Sequence, residues 1–506
     1  MRQVVREFQH RAEQADFVAV IDDTGPHTAR ELLAEAARLA EVMFPGGADG
    51  TGGTGGTVAL QADNSWRTVA GSLAVGLAGG MLAVVNRHTT REEFAAAYED
   101  IRPDAVVAEP SAMEEWGVSG LVPEGRAGTA LDGWACRTAP GAYDVSRWSG
   151  GVLIGLTSGS TGRPKGVVQS EAALRYAGTS TIEINGLKRG DAVAAIVPLS
   201  STAAYCFGVY LSLLLTGPLV LTAKWDRAAA LRRMADHEVR WTMCVPTMAL
   251  QMGTEAAGSG VLGGVRAITV GGGPMDRGAL ARAERSLGTK ILRVFGMSEC
   301  LGHTSPRPDD PEEVRLGRDG RPFPGTDLRA LTPEGAEAAP GVSGRAQVRG
   351  PSLFLGYARE GRVEPPELTG EGYFPTGDLL MRHEDGTVTV MGREKDIIIR
   401  GGRNIDITEI ERAVAGYPRV ARACVAAVPD EVLGERIALL VVTEDGGTVD
   451  LAEITAHLEH VGLSKNKWPE FVYGIEELPQ TKVGKLDRSG AGELARTLRK
   501  RTPDPA

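Results

Sequence analysis

An α/β fold in two parts, a large N-terminal domain with mixed and parallel sheets followed by a small α+β C-terminal domain, is predicted by three features of the sequence. The chain has 506 residues, 42% of them hydrophobic and 24% charged, which is too long for one ordinary core and matches a soluble globular protein. Short apolar runs alternate with amphipathic segments through most of the chain. After residue 392 a second, shorter series of strand and helix signals occupies roughly a hundred residues, the size of a small domain.

The elements follow in order. Residues 58–61, 105–108, 153–156, 193–197 and 267–270 are apolar runs of strand length, as buried parallel strands require, and 228–237 and 277–287 have helical periodicity. Residues 45–56 are mostly glycine and cannot bury a core, so they read as a surface loop. From Ala192 to Ala223 no residue is charged, but Pro198, the polar run 200–202 and Gly217-Pro218 divide the stretch into strand and helix lengths, which argues against a membrane span. Beyond residue 392, strands are expected at 397–399, 423–428 and 437–442. A helix is expected after Ile407 with Thr408 as its N-cap. The resulting division is 1–392 and 393–506.

The formal charge of −10 comes without a basic block, which argues against nucleic acid as a partner. Five cysteines without metal spacing read as reduced thiols, and the first ten residues contain no apolar signal core. The expected location is the cytoplasm.

The strongest local motif is the loop Thr157, Ser158, Gly159, Ser160, Thr161, Gly162, Arg163, Pro164, Lys165, Gly166. Three glycines allow positive φ and close approach of backbone N–H groups to an anion, four hydroxyls donate, and Lys165 adds a point charge, all of which suits phosphate. Pro164 before the lysine and Gly166 after it exclude a Walker A loop. Gly271-Gly272-Gly273-Pro274 follows a predicted strand and allows a ligand close to backbone. Further along come Arg293-Val-Phe295-Gly296-Met297-Ser298-Glu299, Thr376-Gly-Asp378, Gly392-Arg393-Glu-Lys395-Asp396, Gly401-Gly402-Arg-Asn-Ile405 and a lysine-bearing segment ending Gly484-Lys485-Leu-Asp-Arg488.

In order and spacing these motifs resemble the adenylate-forming superfamily of acyl-CoA synthetases, aryl-AMP ligases, peptide-synthetase adenylation domains and luciferases, along nearly the whole chain. Lys224-Trp-Asp226 and the segment 295–300 look most like cyclohexanecarboxylate-type or medium-chain and aryl acid CoA ligases. The resemblance implies an AMP-binding N-terminal domain and a mobile C-terminal domain hinged at Lys395. It implies ATP, Mg2+ and CoA as cofactors, with the acid adenylated and then captured as a thioester. By the same resemblance Lys485 bridges carboxylate and α-phosphate, Lys165 serves the phosphates, Glu299 holds magnesium, Ser298 touches phosphate and Phe295 faces adenine. Asp378 and Arg393 then take the ribose, and Gly401 and Gly402 border the pantetheine path.

The partner is expected to be a small hydrophobic carboxylic acid, because Tyr205, Phe207, Met243, Val270, Met297, Cys300 and Leu301, the candidate pocket walls, are mostly apolar. The segment 198–202 departs from relatives by lacking an aromatic or histidine gate, for which Tyr205 or Phe207 is the expected substitute. The acceptor alternatives are a carrier-protein thiol or a non-thiol nucleophile such as an amine. A silent nucleotide-sensing module is the reading from another class, against which the complete motif set argues. His303 is left out of catalysis.

Overall fold

The computed structural model describes residues 1–45, 55–158, 163–273, 275–401, 403–482 and 484–501. Two compact units emerge. The first comprises Met1–Gly272, Leu280–Leu328 and Val348–Phe374; the second comprises Gly273–Ala279, Arg329–Gln347 and the chain from Pro375 onward.

The first unit has two large sheets. In one, strands at 290–293, 267–270, 241–244, 193–195, 219–221 and 18–22 are all parallel, and 25–28 closes the edge antiparallel. In the other, a parallel centre of 105–108, 57–61, 81–85 and 151–158 is flanked on both sides by antiparallel strands: 134–138 and 126–130 beyond one edge, 164–170, 356–359 and 362–364 beyond the other. The central strands are apolar on both faces, as parallel strands covered on both sides must be. Sequence reading places the central strands 57–61, 105–108 and 151–158 but passes over 81–85 and over the antiparallel flanks, whose short, partly polar runs resemble loops.

The uncharged stretch resolves into the strand Val193–Ala195, a helical segment through Leu215 and the strand Leu219–Leu221. Among the described residues no helix is long and apolar enough to cross a membrane. Within this stretch Tyr205–Tyr210 forms a wide π-helical turn. It rotates Tyr205 into the core, where the side chain is fully buried and its hydroxyl donates to the Met1 sulfur at 3.8 Å. Tyr205 is therefore core and does not substitute for the missing gate.

In the second unit, Val420–Asp430 and Gly434–Thr443 form a long antiparallel hairpin, extended by the parallel strand Phe471–Gly474 and, through Arg400, by the hairpin 397–406. Side chains alternate between its faces. Val425, Ile437, Leu439 and Val441 pack with the helices Ile407–Ala415 and Leu451–His460, while Ala426, Val428, Ala438 and Leu440 pack with the helix Arg488–Arg501. A four-stranded sheet of 327–331, 343–349, 374–382 and 388–393, carried mostly by this unit, precedes it. This sheet joins 329–347 to the second unit, so the compact division falls before residue 392.

One capping assignment is corrected. The helix Ile407–Ala415 is capped by Asp406, whose carboxylate accepts from Thr408 N–H at 2.8 Å. Asp406 has the extended backbone an N-cap needs, and its carboxylate is the stronger acceptor.

A buried ionic knot ties the unit together. Arg488 donates through both terminal nitrogens to Glu411 at 2.8 and 2.9 Å and contacts Asp396 through Nε at 3.0 Å; Glu411 also accepts from Val425 N–H at 2.9 Å. Glu411 is 5% exposed. Removing it takes the acceptor from the Val425 amide and from both terminal nitrogens of Arg488. Glu411→Ala is expected to lower stability by about 3 kcal/mol, the scale of breaking a buried pair, as read by urea unfolding. A loss within about 0.5 kcal/mol, typical of surface substitutions, would contradict the role given to the knot.

Candidate active site

The loop strand Gly151–Ser158 lies parallel to 81–85 and antiparallel to Pro164–Ser170, with Thr157 opposite Lys165. The described strands on either side of the candidate phosphate loop are thus paired with each other as the two arms of a hairpin. Gly159, Ser160, Thr161 and Gly162 lie outside the described residues, as does the side chain of Ser158. Thr157 donates to the Lys165 carbonyl at 3.4 Å, and Lys165 is exposed at the base of the hairpin. Gly166 has a different purpose from the one expected. It sits inside a strand, and a Cβ there would come within 2.9 Å of Ile154 and 3.0 Å of Ala358, so close packing and not positive φ requires glycine.

The 293–299 motif forms a second hairpin. Phe295–Met297 pairs with Cys300–Ser305, and Met297 opposite Cys300 leaves Ser298 and Glu299 as the two-residue turn. Gln169 Nε2 donates to the Ser298 carbonyl at 2.7 Å, and Phe354 N–H donates to the Glu299 carbonyl at 2.8 Å. Arg293, at the start of the motif, is braced by a fork onto Asp319. Gly296 is exposed; Phe295, Met297 and Ser298 are half-buried. The Phe295 ring meets His303 edge-on at 4.7 Å. His303 is fully buried, and burial lowers its pKa to about 3, so it is neutral in the working range. That agrees with leaving it out of proton transfer.

Lys165 and Glu299 are brought to one place by a residue that sequence reading missed. Tyr357, in the strand Gly356–Arg359 paired with 164–170, donates its hydroxyl to Glu299 Oε1 at 3.0 Å and presents its ring 5.4 Å from the Lys165 ammonium. Burial, then the Glu299 charge, pushes the phenol pKa upward. A Gly-Tyr pair far along the chain from Glu299 gives no local signal of this. Only the strand pairing does.

Gly271 ends the parallel strand Ala267–Val270 at its C-terminal end, the ligand side of such sheets. A Cβ there would come within 2.8 Å of the Val294 side chain and 3.0 Å of its carbonyl. Gly272 follows at φ +83°, and Gly273 comes next. Elsewhere in the first unit, the 198–202 segment is held from within: Asn64 donates to the Ala195 and Val197 carbonyls and accepts from Leu199 N–H at 2.9 Å, and Asn86 donates to Ser200. Of the candidate acid-pocket walls, Val270, Cys300 and Leu301 are fully buried, while Phe207, Met243 and Met297 keep accessible surface.

In the second unit, Asp378 and Arg393 stand directly opposite each other on antiparallel strands, and Arg393 Nε donates to Asp378 Oδ1 at 3.1 Å. The Asp378 side chain is 6% exposed and that of Arg393 61%. Asp378 Oδ2 is buried and has no partner among the described residues. Burial raises the Asp378 pKa against the pull of Arg393. Such an oxygen is costly unless a hydroxyl donor reaches it, so it suits a ribose. Glu299, with one oxygen on Tyr357, suits a hard cation. No group of three or more metal-ligating side chains gathers among the described residues, so an ion bound at Glu299 would draw its other ligands from phosphate and water.

Gly401, at φ +57°, turns the hairpin between Ile397–Arg400 and Arg403–Asp406 and donates to the Leu433 carbonyl; Gly402 lies outside the described residues. Lys485 is exposed on a tight turn. Thr481 N–H donates to its carbonyl at 2.7 Å, and its own N–H donates to Thr481 Oγ1 at 3.2 Å.

Residues 8–358 match the AMP-binding enzyme family and residues 409–485 match its C-terminal domain, and the chain belongs to that family, within the adenylate-forming superfamily. Triostin synthetase I of Streptomyces triostinicus is 35% identical over 347 residues, 68% of this chain, which spans 65% of that relative's length. The 2-hydroxy-7-methoxy-5-methyl-1-naphthoate–CoA ligase of Streptomyces carzinostaticus is 31% identical over 82% of this chain and 73% of its own. ATP-bound MatB from Rhodopseudomonas palustris shares the fold with a TM-score of 0.83 at 25% identity, over 98% of this chain and 99% of its own.

The raised pKa of Asp378 has a measurable consequence. Because its folded value lies above the ordinary 3.8, the folded protein binds more proton than the unfolded one between the two values, and stability falls as pH rises through that window. Above it the ionised side chain is a standing cost. Asp378→Asn is expected to raise the melting temperature of the nucleotide-free protein near pH 7, to lose that advantage as pH falls toward 3.8, and to weaken AMP binding. Thermal unfolding across pH with AMP titration checks this; a variant less stable than the wild type near pH 7 would refute it.

Proposed function

We propose that this protein activates a hydrophobic carboxylic acid with ATP as an acyl-adenylate and then transfers the acyl group to the thiol of CoA, releasing pyrophosphate and AMP. The observation that carries the reading is the contact of one side chain, Tyr357, with both Lys165 and Glu299, which supports their roles as phosphate cation and metal carboxylate. The naphthoate–CoA ligase relative supports both the acid class and the acceptor.

In the first step a carboxylate oxygen of the acid bonds to the α-phosphorus, and the bond to the β-phosphate oxygen breaks. No proton moves, so the protein's contribution is positioning and charge stabilisation. Lys165 and the loop donors Thr157, Ser158, Gly159, Ser160, Thr161 and Gly162 take the phosphates. Glu299 with Ser298 borders them, and Mg2+ bound there would neutralise phosphoryl charge. Phe295, Gly296, Met297, Gly272 and Gly273 flank the adenine and acyl groups. Asp378 Oδ2 accepts from a ribose hydroxyl beside Arg393. Phe207, Met243 and Met297 offer the accessible apolar surface for the acid.

Lys485 places its positive charge between carboxylate and α-phosphate, where it stabilises the negative charge that gathers on the phosphoryl oxygens. Residues 393–506 then turn about Lys395 within the turn at 394–395, so that the hairpin with Gly401 and Gly402 faces the entering thiol. In the second step the thiolate sulfur attacks the acyl carbon and AMP leaves.

A panel of aryl and medium-chain acids in a pyrophosphate-release assay, with and without CoA, tests the reading. Acid-dependent pyrophosphate together with CoA-dependent thioester and AMP is the expected result. AMP formation only with a carrier protein or an amine present would replace the acceptor, and no acid-dependent AMP at all would remove the function. Lys485→Ala is expected to slow adenylation by about 10² to 10³, the cost of losing one transition-state donor, while leaving capture of supplied acyl-adenylate nearly intact. Equal loss in both half-reactions would contradict the turning of the C-terminal segment.

A further inference from the structure

Tyr357 touches two groups of opposite charge that the reaction needs, and the surrounding strands leave it little choice of place. Its strand pairs with 164–170 in a fixed register, Tyr357 opposite Val167 and Ala358 opposite Gly166. Gly356, immediately before it, has φ +146°, and a Cβ there would lie 2.0 Å from the Glu364 carbonyl oxygen, so only glycine permits this backbone path. Three residues upstream, Phe354 stacks edge-on against the Tyr357 ring at 4.9 Å and donates its N–H to the Glu299 carbonyl. One short segment therefore grips Glu299 twice: its main chain through Phe354 and its carboxylate through the Tyr357 hydroxyl.

We infer that Tyr357 is a positioning residue for the metal carboxylate, and that its ring independently steadies Lys165. This rests on the reading of Glu299 and Lys165 proposed above. A carboxylate at the tip of a two-residue turn has rotamer freedom that a divalent cation must remove on binding; a hydroxyl holding Oε1 removes part of that freedom beforehand and leaves Oε2 to the ion. The aromatic face does the same for the lysine by an ammonium–ring attraction. The two contacts come from different atoms of one side chain, so they can be separated by substitution: Tyr357→Phe deletes the hydroxyl and keeps the ring, and Tyr357→Leu deletes both.

The test measures binding without turnover. Mn2+ affinity is read by electron paramagnetic resonance on the protein with α,β-methylene ATP, which cannot be cleaved at the reacting bond, and metal-free binding of the same analogue is read by calorimetry. Glu299→Gln serves as the reference, and thermal unfolding of each ligand-free variant reports the fold. Tyr357→Phe is expected to weaken Mn2+ binding roughly tenfold, the usual scale for losing an outer partner of a metal ligand, with metal-free analogue binding unchanged. Tyr357→Leu is expected to weaken both.

If Glu299→Gln weakens Mn2+ binding and Tyr357→Phe does not, the positioning role is overturned and the proposed function stands. If Glu299→Gln has no effect, the metal role of Glu299 falls and that of Tyr357 with it. If the wild type binds the analogue with no metal dependence, the proposed function itself fails. A folded Tyr357→Leu variant whose metal-free analogue binding equals the wild type's overturns the contribution of the ring.

Discussion

The candidate site depends on one strand, Pro164–Ser170, being hydrogen-bonded along both edges. On one edge it pairs with the strand that leads into the phosphate loop, and on the other with the strand that carries Tyr357. A strand paired on both edges cannot slip register without turning every side chain over. Lys165 and Gln169 lie four residues apart and therefore share a face. From that face Lys165 meets the Tyr357 ring, while Gln169 reaches the Ser298 carbonyl in the neighbouring hairpin. The placement of Lys165, of the turn holding Glu299 and of the tyrosine between them follows from a single register. Gly166 keeps that register tight, since any side chain there would push against Ile154 and Ala358.

What was legible in the sequence was whatever could be read from a few adjacent residues. The strand at 105–108, the strand at 267–270 and the helix Arg277–Leu287 occur where periodicity places them. Local motifs singled out Lys165, Glu299, Asp378 and Lys485 as candidates because each sits in a recognisable short segment. The illegible parts are those set by distant partners. The antiparallel flanks at 126–130 and 134–138 are short and partly exposed, so their strand character comes from pairing and not from composition. Asn64, which clamps the 195–199 backbone by three hydrogen bonds, lies some 130 residues away in sequence. Tyr357 is the same kind of case. The cap at Asp406 shows a subtler failure: Thr408 and Asp406 both have capping side chains, and the choice between them depended on backbone conformation two residues earlier than expected.

Cost and rigidity are distributed unevenly in the second unit. Asp378 carries an unpartnered buried oxygen and a raised pKa, a local sacrifice of stability of the kind that binding sites retain because a ligand can relieve it. A few residues on, the Arg488, Glu411 and Asp396 knot does the opposite, pairing buried charges with hydrogen bonds on nearly every face. The knot spans three segments: the turn containing Lys395, the helix Ile407–Ala415, and the start of the helix that follows Lys485.

That arrangement suits the proposal that Lys485 acts and then withdraws. The turn is held by two hydrogen bonds between Thr481 and Lys485, one main-chain and one to the Thr481 hydroxyl, and it is anchored three residues later by Arg488 to the residue next to the proposed hinge. A rotation at Lys395 would then carry the lysine as part of a rigid body, because the fork on Glu411 resists bending between hinge and helix. Were Lys485 instead on a loop with its own freedom, each approach to the phosphate would cost the entropy of ordering that loop. Fixing the turn in advance leaves the hinge as the only degree of freedom that must be restricted when the lysine arrives.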